Sequence, residues 1–121
     1  MNLEEKIKSV EQELRDLTET RNNLIKEKVK AEYSNTLWAY GDGSFFKVIE
    51  VKEVYVDSQC FSCSGLDVEI SNEKEEQSFG MAINKNTEFG WGKQYSGWEL
   101  VDKQVLLDKF KNICDHLEKA L

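Results

Sequence analysis

The sequence predicts an α+β fold with three parts. A long coiled-coil-like helix comes first, then a small twisted antiparallel sheet of four or five strands with enough curl for a partial barrel, and last a C-terminal amphipathic helix. Three compositional shifts carry this reading. Residues 1–33 contain no glycine, and their only aromatic is Tyr33. Residues 34–98 hold all seven glycines and eleven of the thirteen aromatics. Residues 99–121 return to a charged, aliphatic, glycine-free pattern. We therefore divide the chain into a helical oligomerisation segment, 1–33, and a compact α+β domain, 34–121, whose sheet spans 36–92 and whose helix spans 102–121. No proline interrupts either part, so a long unbroken helix is permitted and a proline-rich linker is not.

In the first segment the apolar residues that keep a seven-residue register are Leu3, Ile7, Val10, Leu14, Leu17 and Leu24. Taking Leu3 as d places Ile7 and Leu14 at a, and Val10, Leu17 and Leu24 at d. Two apolar positions in seven make a narrow seam of the coiled-coil kind, not the wider face of a core helix. Lys6 and Glu11 fall at g and the following e, where an interhelical ion pair can form. Glu13 and Thr18, the next such pair, offer no charge complement. Arg21 and Lys28 occupy later a positions; polar residues there cost stability and can fix register or partner number. A helix over 2–33 would extend roughly 48 Å, whereas the remaining 88 residues form a body roughly 30 Å across. So long a helix outreaches its own domain, and the six apolar residues predict pairing with another copy of the chain. The competing arrangement is a helix folded back along its own sheet.

The middle reads as an antiparallel meander. Thr36–Tyr40 is β-prone and closes on Gly41-Asp42-Gly43, a tight-turn signal. Ser44–Val56 has apolar residues on both faces, with Glu50 and Lys52 marking a bend or bulge. Leu66, Val68 and Ile70 alternate with Asp67 and Glu69, as in a half-buried strand. Ser71–Glu76 is polar and predicts a loop, after which Phe79, Met81 and Ile83 alternate again. Asp102 is placed as the N-cap of the last helix. Its stripe, Leu106, Phe110, Ile113, Leu117 and Leu121, is widened by Leu107 and Cys114 and suits packing on a sheet or on the first helix.

Sixteen basic against 23 acidic residues leave a formal charge of −7, which argues against direct nucleic-acid binding. No apolar run approaches the roughly 20 residues of a membrane span. The N-terminus MNLEEKIKSVEQEL lacks an apolar signal region. Three cysteines, an odd number, predict reduced thiols in a cytoplasmic setting.

Cys60, Cys63, Cys114 and His116 together supply a zinc-type donor set, but the spacing opposes it. In extended chain Cys60 and Cys63 point to opposite faces, and on a helix Cys114 and His116, two apart, do not share one. We expect no metal and no cofactor. Neither a calcium loop, HExxH nor a P-loop is present. Catalytic residues are not assigned and the chain is read as a non-enzyme; thiol or histidine chemistry would need a geometry that sequence does not give.

Two features stand out as binding candidates. One is the run from Phe89 to Trp98, where Phe89, Trp91, Tyr95 and Trp98 with Lys93 form either a stacking site for an anionic aromatic ligand or a set of core anchors. The other is acidity in the sheet segment, with Asp67, Glu69, Glu73, Glu75 and Glu76 within ten residues. That cluster is either a face for a basic partner or a solubilising surface.

A small, acidic, proline-free α+β chain with a coiled coil resembles the accessory proteins common in phages and mobile elements. No motif carries the resemblance, so no residue role comes with it; for a phage-encoded protein it implies the cytoplasm of a bacterial host. The expected function is that of a non-enzymatic, homo-oligomeric binding protein. It would occlude a partner protein, an inhibitor of the anti-defence type, with its acidic face set against a basic nucleic-acid-binding surface. The alternative is a protein that sequesters a small molecule or nucleotide on segment 89–98.

Overall fold

A computed structural model describes residues 2–41, 43–72, 76–91 and 97–121. The element order is α1 (Leu3–Tyr33), β1 (Leu37–Tyr40), β2 (Ser44–Tyr55), β3 (Cys60–Asn72), β4 (Gln77–Gly90), β5 (Trp98–Val101) and α2 (Lys103–Ala120). This is an α+β arrangement with one five-stranded antiparallel sheet in the order β4-β3-β2-β1-β5.

Both helices begin on side-chain caps. Asn2 Oδ1 accepts from the Glu5 amide at 2.8 Å, and Asp102 Oδ1 accepts from the Gln104 amide at 2.9 Å; each satisfies a backbone donor the helix leaves unpaired. Glu4 and Glu5 in the first turn of α1 and Lys30 in its last complement the helix dipole. The chain leaves α1 through Asn35 at φ 65, a conformation asparagine tolerates better than most residues. At that junction the Thr36 hydroxyl donates to the Tyr33 carbonyl at 2.6 Å and accepts from Trp38 Nε1 at 3.0 Å.

The sheet has a hydrophobic cluster on each face. One contains Trp38, Phe46, Val48, Val51, Val54, Phe61, Cys63 and Phe89, and is covered by Val29 with Ile25 and Tyr33 from the end of α1. The other contains Leu37, Phe45, Val68 and Ile70, and is covered by Leu106 and Ile113 of α2. Strict alternation would scatter Val48, Val51 and Val54 over both faces of β2. Register shifts at Val48/Glu50 and Val51/Glu53 keep all three on the α1 side. They are the irregularity expected near Glu50 and Lys52.

These bulges also bend the sheet. Phe89 on β4 and Trp38 on β1 stand three strand spacings apart in hydrogen-bonding order, roughly 14 Å in a flat sheet. Their ring centroids are 4.7 Å apart. Trp98 on the opposite edge strand reaches within 5.2 Å of the same Phe89 ring. The edges thus meet through aromatic side chains while the hydrogen-bonded ladder stays open, so the curl stops short of a barrel. Gly65 permits the close approach of β2 and β3, since a Cβ there would stand 1.9 Å from the Lys47 carbonyl oxygen.

The sheet runs past its expected limit at residue 92. Trp98–Val101, assigned in part to the C-terminal helical stretch from sequence, forms β5 on β1. β3 also starts earlier than the Leu66–Ile70 alternation suggested, at Cys60.

Candidate functional site

The N-terminal half of α1 touches nothing else in the described chain. Leu3, Ile7, Val10, Leu14, Leu17 and Leu24 are each 57–76% exposed, and Val29 is the one buried residue of the helix. At 1.5 Å per residue α1 is roughly 46 Å long, and its contact with the sheet comes from Ile25, Val29 and Tyr33. The fold-back arrangement is not adopted. Burial, and next the charge of Glu32, push the Tyr33 hydroxyl above its ordinary pKa.

The strand acids are partly engaged by the protein itself. Alternation in β3 sets Asp67 and Glu69 on the face that also carries Phe46, opposite the partner positions Phe46 and Ser44. Asp67 is 13% exposed and pairs with Lys85 Nζ at 2.8 Å. The hydrogen bond and charge of Asp67 hold the Lys85 ammonium above its ordinary pKa. Glu69 Oε2 accepts from Ser44 Oγ at 2.7 Å, and Glu76 is exposed. Glu73 and Glu75 lie outside the described residues.

The aromatic segment contributes to the core. Phe89 is 3% exposed and stacks on Trp38 with an interplanar angle of 10°. Trp91 and Trp98 are half-buried against the same cluster, and Trp98 tilts against Tyr40 at 5.5 Å. Lys93 and Tyr95 lie outside the described residues. Trp91 also helps to wall a shallow cleft of about 240 Å³ between α1 and the sheet, whose helix side bears Arg21, Lys28 and Glu32. The cleft is smaller than the usual 300–1,000 Å³ of a small-molecule site.

Cys60 and Cys63 are both buried, whereas Cys114 is exposed. Burial, assisted by Glu88, pushes the Cys63 thiol up to about 12, which leaves it neutral and unreactive at ordinary pH. His116 Nδ1 lies 3.0 Å from the Asn112 carbonyl on its own helix. Among the described residues no group of three or more His, Cys, Asp or Glu side chains is placed to hold a metal ion. No helix among the described residues is long and apolar enough to cross a membrane.

One surface was not singled out from sequence. Leu66, Val68, Phe79, Met81, Leu106 and Phe110 line an apolar groove of about 190 Å³ between α2 and the β3–β4 hairpin. Phe79 meets Phe110 at 5.0 Å, yet Phe79, Met81 and Ile83 remain 44–71% exposed. Their alternation was the available signal, but it reports only that the three share a face, not that the face is covered.

Comparison with protein-family models, curated proteins and solved structures finds no match to this chain.

Proposed function

We propose that this is a non-enzymatic, homo-oligomeric binding protein that acts by covering a surface of a partner protein, as accessory inhibitors of phages and mobile elements do. The observation that carries the reading is the α1 stripe, six apolar side chains left at 57–76% exposure on a helix anchored only near its C-terminal end. An isolated helix gains little stability in water from its own hydrogen bonds, so a rod of this kind is stabilised by a binding partner on its apolar side. The net charge of −7 favours a basic partner surface. On the sheet, Glu69 and Glu76 are exposed and contribute more to such a contact than Asp67, which Lys85 already neutralises. A cytoplasmic location accords with the unpaired thiols.

The test has two arms. Light scattering on the full chain gives a mass above 14.0 kDa if α1 self-associates; a lone chain at all concentrations removes the oligomer. Affinity capture from the native host, repeated across a salt series, identifies the partner. Binding weakens steeply with salt, and charge reversal at Glu69, Glu73, Glu75 and Glu76 abolishes it; salt-insensitive capture refutes the acidic contact.

One observation supports the small-molecule reading. The cleft beside Trp91 carries Arg21, Lys28 and Glu32 on its helix wall; Lys28 is paired with Glu32 at 3.7 Å, so Arg21 is the cation that suits an anionic ring compound. Saturable tryptophan quenching and a rise in melting temperature across a nucleotide and metabolite panel would favour it.

A further inference from the structure

The stripe on α1 keeps a strict seven-residue frame, with Leu3, Val10, Leu17 and Leu24 at d and Ile7, Leu14, Arg21 and Lys28 at a. The protein's own sheet does not use it. Ile25 and Val29, which pack on the core, each lie one position past Leu24 and Lys28, roughly 100° around the helix. The seam therefore runs along the flank of α1: its apolar residues from Leu3 to Leu24 stay exposed, while Arg21 and Lys28 at its C-terminal end also border the cleft between α1 and the sheet.

We propose that the stripe is covered by α1 of a second copy of this chain running antiparallel, a pairing that rests on the self-association proposed above and gives it a direction and a register. Ile7 packs against the partner's Leu24, Leu14 against the partner's Leu17, and Arg21 against the partner's Val10.

Charge selects the direction. A parallel pair stacks Arg21 on the partner's Arg21 and Lys28 on the partner's Lys28 at a positions, where like charges face each other inside the seam. It keeps one kind of attractive edge contact, Lys6 with the partner's Glu11, which the two-fold axis repeats, and it also sets Glu27 against the partner's Glu32 at the edge. The antiparallel pair sets Arg21 over a valine with the partner's Glu13 at the adjacent edge position, and Lys6 beside the partner's Glu27; the two-fold axis repeats both contacts. Its one like-charged approach, Lys28 toward the partner's Lys6, has Glu27 on one side and Glu32 on the other, the latter already 3.7 Å from Lys28.

Placement agrees with charge. The sheet domain hangs on the last turns of α1, so parallel helices crowd two domains at one end of the seam, whereas antiparallel helices put one at each end. The seam spans three heptads, about a dozen residues a side, where a standard interface uses roughly 20–30. The dimer is accordingly concentration-dependent and not obligate.

Disulfide mapping on the full chain tests the direction. Two variants are made in a Cys114→Ser background, which removes the exposed native thiol: Ile7→Cys and Leu24→Cys, both at exposed positions. In the antiparallel dimer, residue 7 of each copy is roughly 25 Å from residue 7 of the other, far beyond the ~4 Å Cβ separation a disulfide needs. Mild oxidation of the mixed variants then gives a covalent dimer at roughly ten times the yield of either variant alone. Efficient cross-linking of each variant with itself would overturn the antiparallel pairing and leave self-association standing. A monomer by sedimentation at every concentration would overturn both.

Discussion

The rings of Trp38 and Phe89 lie 4.7 Å apart and 10° from parallel, although two whole strands separate β1 from β4 in the ladder. That stack, with Phe61 and Trp98 around it, holds the bend of the sheet closed. It also fixes the role of Phe89 in stability, whatever else the segment after it does.

Truncating Phe89 to alanine should therefore cost about 3–5 kcal/mol, the range for removing a buried aromatic from a core. Urea unfolding followed by tryptophan fluorescence measures it. A loss within the range of a surface substitution, about 0.5 kcal/mol, would show that the stack does not hold the fold.

The leucines of α1 should behave in the opposite way. Leu14→Glu with Leu17→Glu changes two side chains that are 65% and 67% exposed in the single chain. The stability of the sheet domain should shift by no more than about 0.5 kcal/mol. Self-association should be lost, and with it the concentration dependence of helical circular dichroism at 222 nm, because an unpaired rod frays.

The thiols should separate into two classes. Cys114 is exposed while Cys60 and Cys63 are buried, so a colourimetric thiol reagent should modify one thiol quickly in the native protein and all three in denaturant. The Cys63 thiol is raised from 9.0 to about 12. Between those values the unfolded chain has released a proton that the folded chain retains, so stability should fall as pH rises above about 9. Tyr33, also raised by burial, acts in the same sense. Cys63→Ala should flatten the alkaline limb of a melting-temperature profile; an unchanged slope would remove Cys63 as a cause.

Two glycines in strands should respond differently to alanine. At Gly65 the added Cβ would meet the Lys47 carbonyl oxygen at 1.9 Å and a Phe46 ring carbon at 2.8 Å. Backbone cannot yield there without parting β2 from β3, so Gly65→Ala should cost about 3 kcal/mol or more. At Gly80 a Cβ meets nothing within 4 Å, and the same change should be neutral or slightly stabilising. Equal effects in thermal melts would contradict the close approach.

Much of this architecture could be read from particular residues. α2 is legible because Asp102 announces its start and the 106–117 spacing its face. The heptads of α1 likewise declare a helix whose apolar side its own domain does not bury. β5 was hidden: Trp98–Val101 is four residues long and abuts α2, so its pairing with β1 has no periodic signal. The fate of Phe89, Trp91 and Trp98 was equally concealed. Whether they face ligand or core depends on the bend at Val48 and Val51, a tertiary property that no local pattern in 89–98 encodes. Alternation at Phe79, Met81 and Ile83 named a strand correctly and said nothing of its exposure, since α2 covers only part of that face.

The anchoring of α1 through its last turns has a mechanical consequence. Leu3 stands about 39 Å along the axis from Val29, so a tilt of roughly 10° at the hinge around Val29 carries the tip about 7 Å sideways. Small repacking against the sheet is thereby converted into motion several times larger at the far end. A partner held at the tip would feel adjustments made where Val29 meets the cluster around Trp38.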